Sequence, residues 1–410
     1  MGFFSSSDDS IEYAAVIDIG SGSVLASIVE SDVNKTHPNI IWAKREYSPL
    51  KQIDSLSKSI KNVMTSFMSV MMLLDSEGRA RLKEVAPRAK IKTLQVTIVA
   101  PWSYTVSKTI LYSKENEFSV TKGLLDELLR MAEQKVQVEL KENEKIHEQG
   151  LELISRTTAD VIANGYSVRV SSRQKAKSLK VVQLNAITQE SIVQEVEEVK
   201  DKLFPAADPE LYSFMMAFYY TISDLYPEQR EYCLVDVTYE ATEIGVVRDG
   251  ILQYCTNIPF GSISLARELS AILSVPLQEA HNYLAEPDLD TLLIKYSSKQ
   301  KEDVKAVIEA YEAKLVELFH ETGDKLSIPK SLFMHCDNSR AEFFKDHIVQ
   351  AANLTTKSSH VVYNVTGDLL TQRYSKDKIS EMKKTKLDTA MLISAQFFHT
   401  NSYDRDFEQL

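Results

Sequence analysis

Cysteine is scarce in this chain: three in 410 residues, Cys233, Cys255 and Cys336, with no close spacing between them. That pattern offers neither a zinc ligand set nor a disulfide framework. It fits buried or incidental thiols in a reducing compartment. Long apolar runs are missing as well. Phe67–Leu74 and Phe214–Tyr220 are the longest, far short of the ~20 residues a membrane-spanning helix requires. An excess of basic residues is also absent. Lys and Arg number 47 against 58 Asp and Glu, a net charge of −11, which argues against a nucleic-acid backbone as the main partner. Met1–Ser10 has no basic start and no apolar core, so no secretory leader is expected. Met1-Gly2-Phe3-Phe4-Ser5-Ser6 has the outline of an N-myristoylation start, a short pattern with meaning only in a eukaryotic cell.

What is present is an α/β pattern long enough for two or three domains at ~150 residues each. Tyr13–Ile19, Val24–Glu30 and Asn39–Arg45 alternate as strands separated by turn residues. Leu56, Ile60, Val63, Phe67, Val70 and Leu74 recur at helical spacing, and Thr93–Ala100 reads as a returning strand. A second segment has its own rhythm. Strand Val106–Tyr112, helix Thr121–Lys135, β-rich Leu151–Val161 and Val168–Val170, strand Leu179–Thr188 and helix Gln189–Leu203 form a small α+β module, with the charged run Glu139–Glu148 as a solvated helix end or loop. The third segment repeats the first. After an apolar helix at Tyr212–Leu225, a new strand meander covers Tyr232–Val237, Glu243–Val247 and Ile251–Asn257. Helices are expected at Ser262–Leu273, Leu277–Leu284, Lys301–His320, Ala341–Ala352 and Ala390–Phe398, and a short strand at Ser331–His335. Each meander carries an acid near its first turn, Asp18 and Asp236.

The first of those turns reads Ile17-Asp18-Ile19-Gly20-Ser21-Gly22-Ser23. A Gly/Ser-rich hairpin can aim successive backbone N–H groups and hydroxyls at an anion. An aspartate at the strand end can hold the hydration shell of a metal that a triphosphate brings. An ordinary tight turn with Asp18 as turn former is the plain alternative.

On these residues the chain resembles the actin-like ATPase superfamily. Val16–Ser23 resembles its first phosphate loop, and Leu234–Ile244 stands where the second belongs, followed by Asp249-Gly250 and Ile258–Ile263. The order of segments, together with Phe118–Thr121, Asn164-Gly165-Tyr166 and Val181–Thr188 in the insert, is similar to the branch holding the bacterial division protein FtsA and the pilus-assembly protein PilM. The resemblance implies a two-lobed actin-like fold, a duplicated ribonuclease H-like fold with an inserted small α+β domain. Residues 1–102 form the first lobe and 103–203 the insert. Residues 204–410 form the second lobe and the return of the chain to the first. It further implies a site for ATP and Mg2+. Asp18, Gly20, Ser21, Gly22, Ser23, Asp236, Thr238 and Gly261 would lie at the nucleotide, Asp18 and Asp236 at the metal, and Asp236 would be the catalytic acid. Glu210, placed at the start of the inter-lobe helix, is a second candidate for positioning water, or a helix-dipole residue only.

The chain departs from the family pattern at three of the four nucleotide elements. Thr238 and Tyr239 replace the glycine pair of the second loop. A tyrosine Cβ and ring obstruct close approach of an anion to the backbone. Ala280 is followed by His281, Asn282, Tyr283 and Leu284, without the charged residues expected there. His335-Cys336-Asp337-Asn338 replaces the two glycines of the adenosine loop. His281 and His335 read as residues that filled a vacated pocket. Three functions stay open. The first is a scaffold with weak or lost nucleotide binding, a pseudo-ATPase that assembles with itself or with the tail of a membrane protein in cell division or pilus and envelope machinery. The second is an ATPase that uses Mg-ATP to control polymerisation or partner binding. The third is a small-molecule kinase or phosphatase, for which no cluster of His, Arg and acid is visible. The resemblance places the chain in the cytoplasm, with any membrane contact made through a partner and the insert as contact surface. The FtsA-type membrane helix has no counterpart in the polar, acidic residues 400–410.

Overall fold

The computed structural model describes residues 10–49, 56–142, 150–168, 174–286, 289–336, 340–374 and 388–408. The readings made for residues 1–9, 143–148, 169–170, 337–338 and 409–410 lie outside them.

Two five-stranded sheets repeat one topology. The first has the order β3-β2-β1-β4-β9, from β1 (Ile11–Ile19), β2 (Ser23–Asp32), β3 (Asn39–Tyr47), β4 (Thr93–Ile98) and β9 (Asp208–Ser213). The second has the order β12-β11-β10-β13-β14, from β10 (Tyr232–Val237), β11 (Thr242–Arg248), β12 (Ile251–Ile258), β13 (Ser331–His335) and β14 (Val361–Asn364). In each, an antiparallel meander is continued by two parallel strands. Parallel pairing demands a crossover. Helix Leu56–Leu73 lies in the crossover from β3 to β4, and the helices from Ser262 to Lys325 lie between β12 and β13.

The segment read as one helix from Tyr212 is in fact strand then helix. Residues 208–213 pair with β4, and Ser213 caps the helix Phe214–Leu225 by accepting from Met216 N. This helix is buried between the lobes on nearly every side. Its sequence is therefore apolar all round and hides the boundary. Glu210 consequently sits on a strand, not at a helix start.

The insert forms a third sheet, β5-β8-β6-β7, from β5 (Ser103–Ser119), β6 (Leu151–Ala163), β7 (Tyr166–Ser167) and β8 (Lys175–Gln189). Helix Lys122–Glu142 covers one face and buries Leu125, Leu128 and Ala132 against Ile110, Val161, Leu179 and Val181. Helix Glu190–Leu203 faces the other way. Its Ile192, Val196 and Val199 join the core of the first lobe, beside Val63, Phe67 and Val70. The last helix, Thr389–Glu408, returns to the first sheet and packs Ala395 and Phe398 on Ala14, Val16 and Val29. The first strand and the last helix thus meet in one lobe, and the two meander hairpins face each other across a cleft.

Candidate functional site

The strand register delivers the two acids. Asp18 is the penultimate residue of β1 and pairs in parallel with Thr97 of β4, while Asp236 occupies the matching place on β10, beside His335 of β13. Both are buried. The cleft between them, about 450 Å3, is lined by Asp18, Gly20, Ser21, Ser23, Asp236 and Thr238. Six of the residues expected at a nucleotide are therefore brought together.

What each touches is the protein itself. Arg45 of β3 reaches across the meander to Asp18, Nη2 to Oδ2 at 3.5 Å. The same guanidinium grips Asp388 with two hydrogen bonds of 2.5 and 2.9 Å and donates to Ser23 Oγ at 2.6 Å. Asp388 also accepts from Met391 N, so it caps the last helix. Burial pushes Asp18 up to about 6 against the opposing pull of Arg45. Burial works against the Arg45 charge too, but Asp388 and Asp18 more than offset it. On the facing lobe Asp236 Oδ1 accepts from His335 Nδ1 at 2.8 Å, and His335 Nε2 meets Thr389 Oγ1 at 3.1 Å. The start of the last helix is thus bound to an acid–base pair on each side.

The hairpin turns are closed on each other. Ser21 Oγ accepts from Glu240 N at 3.1 Å. The Tyr239 ring lies so close over Gly22 that a Cβ there would overlap its Cδ2. Thr238 Oγ1 donates to Ala100 O at 3.1 Å and accepts from Ala241 N at 3.0 Å. Gly261 is not at the cleft surface. It supports the second hairpin from behind, where a Cβ would meet Ala241 N at 2.7 Å. The first N–H groups of the helix Ser262–Leu273 are spent there as well, Ser262 N on Thr238 O and Ile263 N on Tyr239 O. Behind Tyr239, Glu240 is clamped by both Nη atoms of Arg267 and accepts from Ser59 of the other lobe at 3.3 Å. Glu210 stands apart, with Tyr212 OH donating to it at 3.4 Å, and does not line the cleft.

These residues do not fit a magnesium nucleotide. A guanidinium holds Asp18, where a divalent cation would have to approach. The Ser21 hydroxyl and the Glu240 N–H satisfy each other instead of an anion. Tyr239 covers the glycine over which a phosphate would pass. Among the described residues no three His, Cys, Asp or Glu side chains converge to hold a metal ion.

Tyr239 and His335 were legible as departures from the pattern. Arg45 and Asp388 were not singled out, although one signal existed: Asp18 pairs with Leu25 and Leu25 with Arg45, so strand register puts acid and guanidinium on one face. The Gly22–Tyr239 contact yields a prediction. Gly22→Ala should cost about 1–3 kcal/mol through overpacking. Paired with Tyr239→Ala it should cost much less, giving a coupling energy of about 1 kcal/mol or more in a double-mutant cycle by urea unfolding. Simple additivity would show that the two hairpins do not press on each other.

The duplicated sheets, the facing hairpins and the insert define an actin-like two-lobed fold. No family model matches the chain, and no curated protein matches it in sequence. Among solved structures it is similar to a chain of the PilM–PilN type IV pilus biogenesis complex, with a TM-score of 0.56 at 12% identity over 94% of this chain and 98% of that one. Looser likenesses are the ethanolamine utilization protein EutJ from Carboxydothermus hydrogenoformans (TM-score 0.41, 11% identity, 94% and 89% covered) and a Bacteroides thetaiotaomicron protein with an actin-like ATPase fold (TM-score 0.38, 11% identity, 93% and 99% covered). At these identities the likeness is one of fold.

Proposed function

We propose that this chain is an actin-like scaffold that acts through protein contacts and does not turn over nucleotide. The observation that carries this reading is the sealed hairpin pair. Arg45 on Asp18, Ser21 on Glu240 N and Tyr239 on Gly22 occupy the places a magnesium triphosphate would need. The fold likeness to a chain of a two-protein pilus biogenesis complex supports a protein partner. We place the contact surface on the insert, residues 103–203, where Leu111 and Tyr166 stand exposed. Among the described residues no helix is long and apolar enough to cross a membrane, so an envelope role would run through a partner, with the chain at the inner face of the membrane.

The test is thermal unfolding with and without millimolar Mg-ATP. A ligand that binds only the folded state at a hundredfold excess over Kd adds about 2.7 kcal/mol. No shift is expected. A clear rise that Asp18→Ala abolishes would return the chain to the ATPases.

A further inference from the structure

A second cavity lies where the insert meets the second lobe. It holds about 250 Å3 and shares no lining residue with the cleft between the hairpins. One wall comes from β5 and β8, the other from β12, and Leu326 at the end of helix Ser298–Lys325 completes the lining. Strand register sets the insert wall. Thr109 pairs with Val182 and Leu111 with Lys180. The insert helix packs on the alternate residues Ile110, Leu179 and Val181, so Thr109, Lys180 and Val182 share the opposite face of the sheet. Val182 and Ile251 are buried and form an apolar floor. Ser107 and Lys180 are half-buried and Thr109 is exposed, so solutes can reach all three. Among the described residues Lys180 has no ion pair, and the hydroxyls of Ser107 and Thr109 have no protein partner. The neighbouring acids are engaged elsewhere. Asp160, opposite Val182 on β6, accepts from Val161 N at 2.8 Å and Ser167 Oγ at 2.6 Å. Glu321 accepts from Tyr254 OH at 3.2 Å. Neither lines the cavity, and of the residues that do, only Lys180 is charged.

We infer that this cavity takes a monocarboxylate with a short apolar tail, its carboxylate on the Lys180 ammonium and the Ser107 and Thr109 hydroxyls, its tail on Val182 and Ile251. The charge fits, since one ammonium offsets one carboxylate, whereas a phosphate group brings up to two negative charges at neutral pH. The lining fits, since ligand sites at domain boundaries join apolar walls to a few convergent polar groups. A free short-chain acid and an acidic side chain of a partner peptide offer this same chemistry, and the experiment separates them. The inference does not depend on what the cleft between the hairpins holds, so its failure leaves the scaffold reading untouched.

Hexanoate, hexanol and acetyl-leucyl-glutamyl-leucine amide are titrated separately into the full chain by calorimetry, at physiological salt so that loose attraction to surface cations is screened. Saturable one-to-one binding of hexanoate or of the peptide is expected, weakened about tenfold or more by Lys180→Met, which keeps the apolar stem and removes the charge. Binding of hexanoate alone assigns the site to a free acid, and binding of the peptide alone assigns it to a partner's side chain. Thr109→Glu provides an independent check. It changes an exposed residue, leaves Lys180 in place and sets a carboxylate on the same sheet face, so it should weaken binding several-fold with no change in the urea midpoint beyond that of an ordinary surface substitution. Absence of saturable binding by both carboxylates overturns the inference, as does hexanol binding as tightly as hexanoate, or carboxylate binding that either variant leaves unchanged.

Discussion

Arg45→Ala is expected to be the most damaging single change in the cleft, at about 3–5 kcal/mol, the usual cost of removing one partner from a buried ion pair. The guanidinium is 17% exposed and serves Asp18, Asp388 and Ser23 at once, so its loss strands two carboxylates. The effect should depend on pH. In the parent protein burial raises Asp18 from 3.8 to about 6 despite Arg45. A carboxyl raised on folding contributes stability that is complete below its unfolded value and is lost as pH rises through its folded value. Asp18 therefore gives a falling component of stability between about pH 4 and 6, which Asp18→Asn should remove. Asp388 runs the other way. Burial would raise it, but Arg45 overrides burial and holds it below its ordinary range, so its contribution is lost as pH falls through that lowered value. Without Arg45 both carboxyls lose their counter-charge and should protonate more readily. The gap in urea midpoint between Arg45→Ala and the parent should then narrow on acidification, beginning above the parent Asp18 value of about 6 and continuing toward the lowered range of Asp388. A gap independent of pH would show that Arg45 acts through packing alone.

The second large effect is expected at Glu240→Ala, about 3 kcal/mol. The Glu240 side chain is 6% exposed and satisfies Arg267, Ser264 and Ser59, the last from the opposite lobe. Arg267 is 22% exposed, and partial solvation of its stranded charge keeps the cost at the lower end of the range. Because Ser59 belongs to the first-lobe helix Leu56–Leu73, hydrogen exchange in that helix should accelerate along with exchange in the second hairpin. Glu240→Gln keeps the shape and should lose less. Faster exchange confined to the second lobe would show that Glu240 does not join the lobes.

Much of the fold was legible because its signals are local. Short apolar runs at Tyr232–Val237 and Ser331–His335 marked strands whose ends agree with the structure. Helix Ser262–Leu273 likewise carries its apolar period within itself. Legibility failed where a strand runs straight into an apolar helix. Residues 208–225 show no period that divides strand from helix, and Glu210 was misplaced in consequence. Strand β14 was missed for another reason. With four residues at the sheet edge, half of them exposed, it shows too little alternation to stand out.

The candidate site divides along the same line. By itself the sequence determined the two meanders, the acid at each turn, the Gly/Ser hairpin and the replacement of glycine by Thr238 and Tyr239, all set by residues adjacent in the chain. Only the tertiary structure decided what those acids meet. Arg45 and Asp388 lie 343 positions apart, His335 and Asp236 lie 99 apart, and Ser21 meets Glu240 across 219. No local pattern encodes such pairings. They follow from strand register and from the return of the last helix to the first lobe, and they decide that the protein's own guanidinium, hydroxyl and ring close on the residues of the two hairpins.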